Sequence, residues 1–109
     1  MNQKLSNHNF DDNLISMMFG KAIRRIRIEK GLTGHQLAML LKISQQQISR
    51  YERGSNKLTV DMIIKLAFVL NVSLEVVYRY FFEELVSHDI EDIPLFTEGI
   101  ISKKYEPLN

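Results

Sequence analysis

Apolar residues recur at helical spacing in five successive stretches of this chain, and the residues between them are of the kind that start and stop helices. Leu14, Ile15, Met18, Phe19, Ala22, Ile23 and Ile26 predict a long first helix over about 13–30, capped by Asp12 or Asn13 and stopped by Gly31. Met17, Met18 and Phe19 are consecutive, so its early part is apolar over a wide arc and needs more than one covering surface. Thr33-Gly34-His35-Gln36 has a capping-box pattern, after which Leu37, Ala38, Leu40 and Leu41 predict a short helix over 34–41. Beyond Lys42-Ile43, Ser44 with Gln47 three residues on reads as a second capping box, opening a third helix that Gly54 stops. Thr59 caps a fourth helix, with Met62, Ile63, Leu66, Ala67 and Leu70 inward and Asn71 at its end. Ser73 caps a fifth, in which Leu74, Val76, Val77, Tyr78, Tyr80, Phe81, Phe82 and Leu85 leave few polar positions on any face.

The pattern predicts an all-α, compact five-helix domain over residues 13–86. Two short helices joined by the tight turn at Lys42-Ile43, with Ala38 small enough for close approach, make a helix-turn-helix. Residues 1–12 read as a flexible N-terminal arm, and 87–109 as a C-terminal extension with a part in dimerisation. In that extension Ile93, Leu95, Phe96, Ile100 and Ile101 are too apolar for a simple disordered tail. They suggest a docked segment, one more helical turn or a β-arm near 95–105.

The third helix carries the candidate chemistry. At roughly 100° per residue, Ile48, Tyr51 and the Glu52 stem share one side, while Gln46, Ser49, Arg50 and Arg53 fan over the opposite one. Gln can pair with adenine N6/N7 and Arg with guanine O6/N7, so this face suits reading base edges in a major groove. A solvated surface helix can look the same, and the charge distribution adds weight. From Lys21 to Lys57 nine Lys/Arg face two acids, and from Leu58 onward four bases face nine acids. The net charge of +1 thus hides a basic segment suited to a polyanion. Arg24, Arg25, Lys42, Arg53 and Lys57 are its expected phosphate contacts, with Lys21 and Lys30 as solvated charges.

Other chemistries find little support. There is no cysteine, which removes disulfides, thiolate metal sites and a thiol nucleophile together. His8, His35 and His88 are scattered singly without metal-ligand spacing, Ser49 has no local His or Asp partner, and no Gly-rich phosphate loop occurs. The methionines read as core or interface filler. We therefore expect no enzyme, cofactor, metal or small-molecule ligand. No run approaches 18 apolar residues and the N-terminus is polar, so we expect a cytoplasmic, nucleoid-associated protein without membrane partners.

Laid end to end, Arg27, Gly31-Leu32-Thr33, Leu37-Ala38, Ser44, Ile48-Ser49, Tyr51-Glu52, Gly54, Ile64, Leu66-Ala67 and Leu70-Asn71-Val72 resemble the Cro/C1-type (Xre-like) helix-turn-helix family over about residues 20–80. Within it the run SQQQISRYE is similar to that of MrpJ-type regulators, transcription factors of fimbrial operons that couple adhesion to repression of flagellar genes. The resemblance implies base contacts from Gln45, Gln46, Ser49 and Arg50, phosphate contacts from Ser44 and Gln47, and an ion pair between Arg27 and Glu52 tying the first helix to the third. Two positions depart from the family. Lys42 stands where a turn Gly is usual, so a positive φ there would cost about 1 kcal/mol. Gly34 replaces a Gln that contacts phosphate in relatives, leaving His35 or the helix amides to supply that contact.

One short recognition helix reads few base pairs. Two-fold proteins solve this with half-sites about one helical turn apart, so double-stranded DNA carrying an inverted repeat, bound by a homodimer, is the expected partnership. Tyr78, Phe81, Phe82 and Leu85, with Ile93, Leu95 and Phe96, are the candidate dimer surface, unless the tail folds back and buries them within one chain. A rival reading is an antitoxin-like or adaptor protein that grips another protein through its fifth helix and tail.

Overall fold

The computed structural model describes residues 12–88, which form five helices and no strand. They are α1 (Asp12–Glu29), α2 (Gly34–Leu41), α3 (Gln45–Arg53), α4 (Val60–Leu70) and α5 (Leu74–Ser87). Helix α1 starts and ends one residue before the expected limits, a difference within ordinary end fraying. The N-terminal arm, and the extension with Ile93, Leu95, Phe96 and the β-arm near 95–105, lie outside the described residues. No described helix is long and apolar enough to cross a membrane.

Four of the five starts are fixed by one device. Thr33, Ser44, Thr59 and Ser73 hold extended backbone, and each side-chain oxygen accepts from the amide three residues on, at 3.0 Å from Gln36 and Gln47 and 3.1 Å from Met62 and Val76. Each bond satisfies an amide the helix cannot, and is worth about 1 kcal/mol. Gln36 also accepts from the Thr33 amide at 2.8 Å, closing a full capping box. At Ser44 only the hydroxyl half of the box forms, which leaves the Gln47 side chain uncommitted to capping.

Helix α1 runs through the middle of the domain, packed against α3 on one side and α5 on the other. Its Met18 and Ala22 are buried with Phe81 and Leu85 of α5, and the Phe19 ring stacks on Phe81 with centroids 4.0 Å apart. This contact explains two wide apolar arcs at once, since the excess on α1 covers the excess on α5. It also corrects part of the expected dimer surface. Phe81 and Leu85 are 6% and 0% exposed, so they belong to the intrachain core, while Tyr78 stays outward and Phe82 is half-buried. The larger core joins Ile23 and Ile26 to Leu37, Ala38, Ile48, Leu66, Ala67, Leu70 and Val77, drawing on every helix.

Arg25, an expected phosphate contact, has carboxylate partners within the chain. It points at α5, where it donates to Glu83 at 2.9 Å and Glu84 at 3.1 Å, and its guanidinium lies 4.5 Å from the Tyr80 ring centroid. The hydrogen bond to Glu83 leads in raising the Arg25 pKa, against a smaller lowering by burial. Beside it, the Tyr80 hydroxyl donates to Glu29, which raises the Tyr80 pKa and adds a second tie between α1 and α5. Both pairs are solvent-screened, so they orient the helices more than they stabilise them.

Candidate nucleic-acid interface

Helix α3 is held by backbone contact as well as by its own core residue, Ile48. Gly20 of α1 lies against it so closely that an added Cβ would sit 2.4 Å from the Tyr51 carbonyl oxygen and 2.5 Å from that of Glu52. At the far end of α3, Gly54 has φ 78° and faces the Met17 backbone, where a Cβ would approach to 2.6 Å. A side chain at either position would push α3 off α1. About two turns beyond Gly20 on α1, the Arg27 guanidinium donates to both Glu52 oxygens, from Nε at 2.7 Å and Nη2 at 2.9 Å, and from Nη1 to the Leu32 carbonyl at 2.9 Å. Hydrogen bonding to Glu52 is the main cause that raises the Arg27 pKa, and burial opposes it. The pairing with Glu52 thus favours the charged form of the guanidinium.

With its inner side fixed, α3 presents the rest outward. Gln45, Gln46, Arg50 and Arg53 are exposed and Ser49 half-buried, all within an arc of roughly 140° at about 100° per residue. Arg53 donates to the Ser49 hydroxyl. Arg50 and Arg53 occupy the last turn, where positive charge is favoured by the helix dipole. Nine residues at about 1.5 Å each make a probe about 13 Å long, which spans only a few base pairs. Ser44, Lys42, Lys57 and His35 are exposed and Gln47 half-buried, and Arg24 is 60% exposed with its Nε 3.9 Å from Glu52 Oε1. Of the sequence-derived contact set, Arg25 is engaged with α5 through Glu83 and Glu84. Among the described residues, no group of three His, Asp or Glu side chains is placed to hold a metal ion.

The turn between α2 and α3 places a residue with a side chain, Lys42, in left-handed backbone. Lys42 has φ 61° and ψ 41°, the left-handed region, and the turn closes through the Ile43 amide donating to the Ala38 carbonyl at 3.0 Å. Left-handed backbone costs a side-chain-bearing residue about 1–2 kcal/mol, against about 0.5–1 kcal/mol for the extra unfolded-state freedom of glycine. The first term wins. Lys42→Gly should therefore stabilise the fold by up to about 1 kcal/mol, read as a higher urea midpoint. A lower midpoint would show the turn to be unstrained. If Lys42 touches phosphate, the same variant should flatten the dependence of log affinity on log salt by about one unit. Gly34, the other departure, lies under the third helix: a Cβ there would meet the Gln45 side chain at 3.8 Å.

Sequence reasoning missed Gly20, although a glycine inside a helical pattern is itself a signal of close approach. It also passed over the outer side of α4. There Val60, Ile64 and Phe68 form a second apolar stripe, 70%, 49% and 83% exposed.

Comparison with known proteins agrees with the helix-turn-helix fold. A helix-turn-helix family model matches residues 23–77. An uncharacterised helix-turn-helix-type transcriptional regulator of Rickettsia conorii is 34% identical over 71 residues, 65% of this chain and 54% of that protein. Its counterpart in Rickettsia prowazekii is 32% identical over 71 residues, 65% of this chain and 52% of that protein. The chain thus spans about half the length of the curated relatives it matches. The crystal structure of the restriction-modification controller protein C.AhdI from Aeromonas hydrophila is similar with TM-score 0.58 and 28% identity, covering 62% of this chain and 97% of that one. The clp gene regulator ClgR from Corynebacterium glutamicum shares the fold at TM-score 0.63 and 24% identity, covering 65% of this chain and 92% of that one.

Proposed function

This chain belongs to the Cro/C1-type helix-turn-helix family, whose members matched above are transcriptional regulators and not enzymes, and from that premise we propose that it is a sequence-specific DNA-binding transcriptional regulator. The observation that carries the reading is the outward arc of α3, where Gln45, Gln46, Ser49 and Arg50 converge on a helix clamped from behind. Bases are read by these four side chains. Ser44, Gln47, His35, Arg24, Lys42, Arg53 and Lys57 border them and contact phosphates, which fix register without specifying sequence. The regulator acts in the cytoplasm at the nucleoid, as a homodimer on an inverted repeat, because one α3 reads too few base pairs to select a site. The SQQQISRYE run supports a narrower role, coupling fimbrial expression to repression of flagellar genes.

Arg50→Ala tests the central assignment. A paired Arg–guanine contact is worth about 1–3 kcal/mol of discrimination. The variant should lose that much on its own operator and little on unrelated duplex, measured by titration at fixed salt. Equal losses on both would make Arg50 a phosphate contact. The operator comes from genome-wide mapping of bound sites, expected to return a shared inverted repeat with sites near flagellar genes. A repeat found only elsewhere would leave DNA reading intact and remove the motility role.

A further inference from the structure

Val60, Ile64 and Phe68 recur every four residues along the outer side of α4, and Phe68 is 83% exposed. Such a row forms a ridge of the kind that helices pack with, and large apolar side chains held in water on one ridge mark a contact surface. The charges beside it indicate what covers it. Asp61 and Lys65 each follow a stripe residue by one, so they lie on the same flank, about one turn apart. Both are exposed, and neither forms an ion pair among the described residues.

We infer that a second copy of this chain docks on α4, antiparallel about a two-fold axis near Ile64. This rests on the homodimer reading above and names its surface. In that register Ile64 meets its own mate, the small Val60 meets the large Phe68, and Asp61 lies by the Lys65 of the other copy. An isologous contact requires that self-complementarity, since each pairing must hold in both directions. The row on α5 through Leu74, Tyr78, Phe82 and Val86 offers it less well, since Phe82 is half-buried against the intrachain core. There Arg79 would pair with Glu83, whose Oε1 already accepts from Arg25 of its own chain. A single-helix stripe is well short of the 20–30 residues a side of a standard interface, so the free dimer dissociates on the order of micromolar and DNA with two half-sites tightens it.

Sedimentation equilibrium of the full chain, with circular dichroism to confirm folding, tests this. Wild type should be a dimer at tens of micromolar. Ile64→Glu sets two carboxylates face to face on the axis and should raise the dissociation constant about a hundredfold or more. Asp61→Lys and Lys65→Asp should each weaken the dimer, and the two together should restore it. Phe68→Ser, at the most exposed position, should weaken dimerisation without touching the fold. A dimer that survives Ile64→Glu and is lost in Tyr78→Glu overturns the α4 surface and keeps the homodimer. A chain that stays monomeric even on a two-half-site duplex overturns both.

Discussion

Gly20→Ala should destabilise the domain by about 3 kcal/mol or more, although alanine is the better helix former by about 1 kcal/mol. The sign is decided by what lies opposite. An added Cβ at Gly20 would sit 2.4 Å from the Tyr51 oxygen, 2.5 Å from the Glu52 oxygen and 2.8 Å from the Glu52 carbonyl carbon. All three are backbone atoms of α3, so no rotamer change relieves the clash. α1 and α3 must separate, and the packing around Ile48 and Ile23 separates with them. The exposed neighbour Lys21 is the control, since Lys21→Ala should change stability by less than about 0.5 kcal/mol. Urea denaturation of the three proteins reads both effects. A Gly20→Ala variant as stable as wild type would show that α3 does not rest on α1 at this point. Where that variant folds, a shifted α3 should also weaken operator binding beyond the loss of folded protein.

The sequence-based expectations succeed where the cause is local and fail where it is tertiary. Thr33, Ser44, Thr59 and Ser73 announce their helices because a hydroxyl bonds an amide three residues away, whatever the rest of the chain does. The outward arc of α3 is readable for the same reason, since one helix's periodicity settles which residues share a side. The direction of Arg25 is not, because it depends on how α1 and α5 cross. Periodicity identifies Phe81 and Leu85 as apolar but does not say whether the covering surface comes from the same chain or another; α1 supplies it. The stripe of Val60, Ile64 and Phe68 is the mirror case. It reads as ordinary helical hydrophobicity until the fold shows that Leu66, Ala67 and Leu70 already fill the inward side.

Glu52→Ala should be the most damaging side-chain truncation at the interface, at about 3–5 kcal/mol, because it strands a buried guanidinium. Arg27 is 9% exposed, and its side chain and that of Glu52 are 11% and 8% exposed, so neither charge can turn to water without opening the contact between α1 and α3. Both carboxylate oxygens accept from Arg27, and its remaining nitrogen holds the Leu32 carbonyl, so the pair is fully satisfied as built. That satisfaction does not make it a large net source of stability. Burying two charges costs about what their attraction returns, and Arg27→Met with Glu52→Leu should therefore unfold within about 1–2 kcal/mol of wild type. The contrast between the single and double variants separates two roles. If the pair chiefly sets where α3 sits, the double variant will be folded and stable yet bind its operator less well, because an apolar contact fixes helix position less sharply than a bidentate bond. A cost below about 1 kcal/mol for Glu52→Ala, the range of an exposed pair, would mean that solvent reaches Arg27 and that the clamp behind α3 is Gly20 and Ile48 alone.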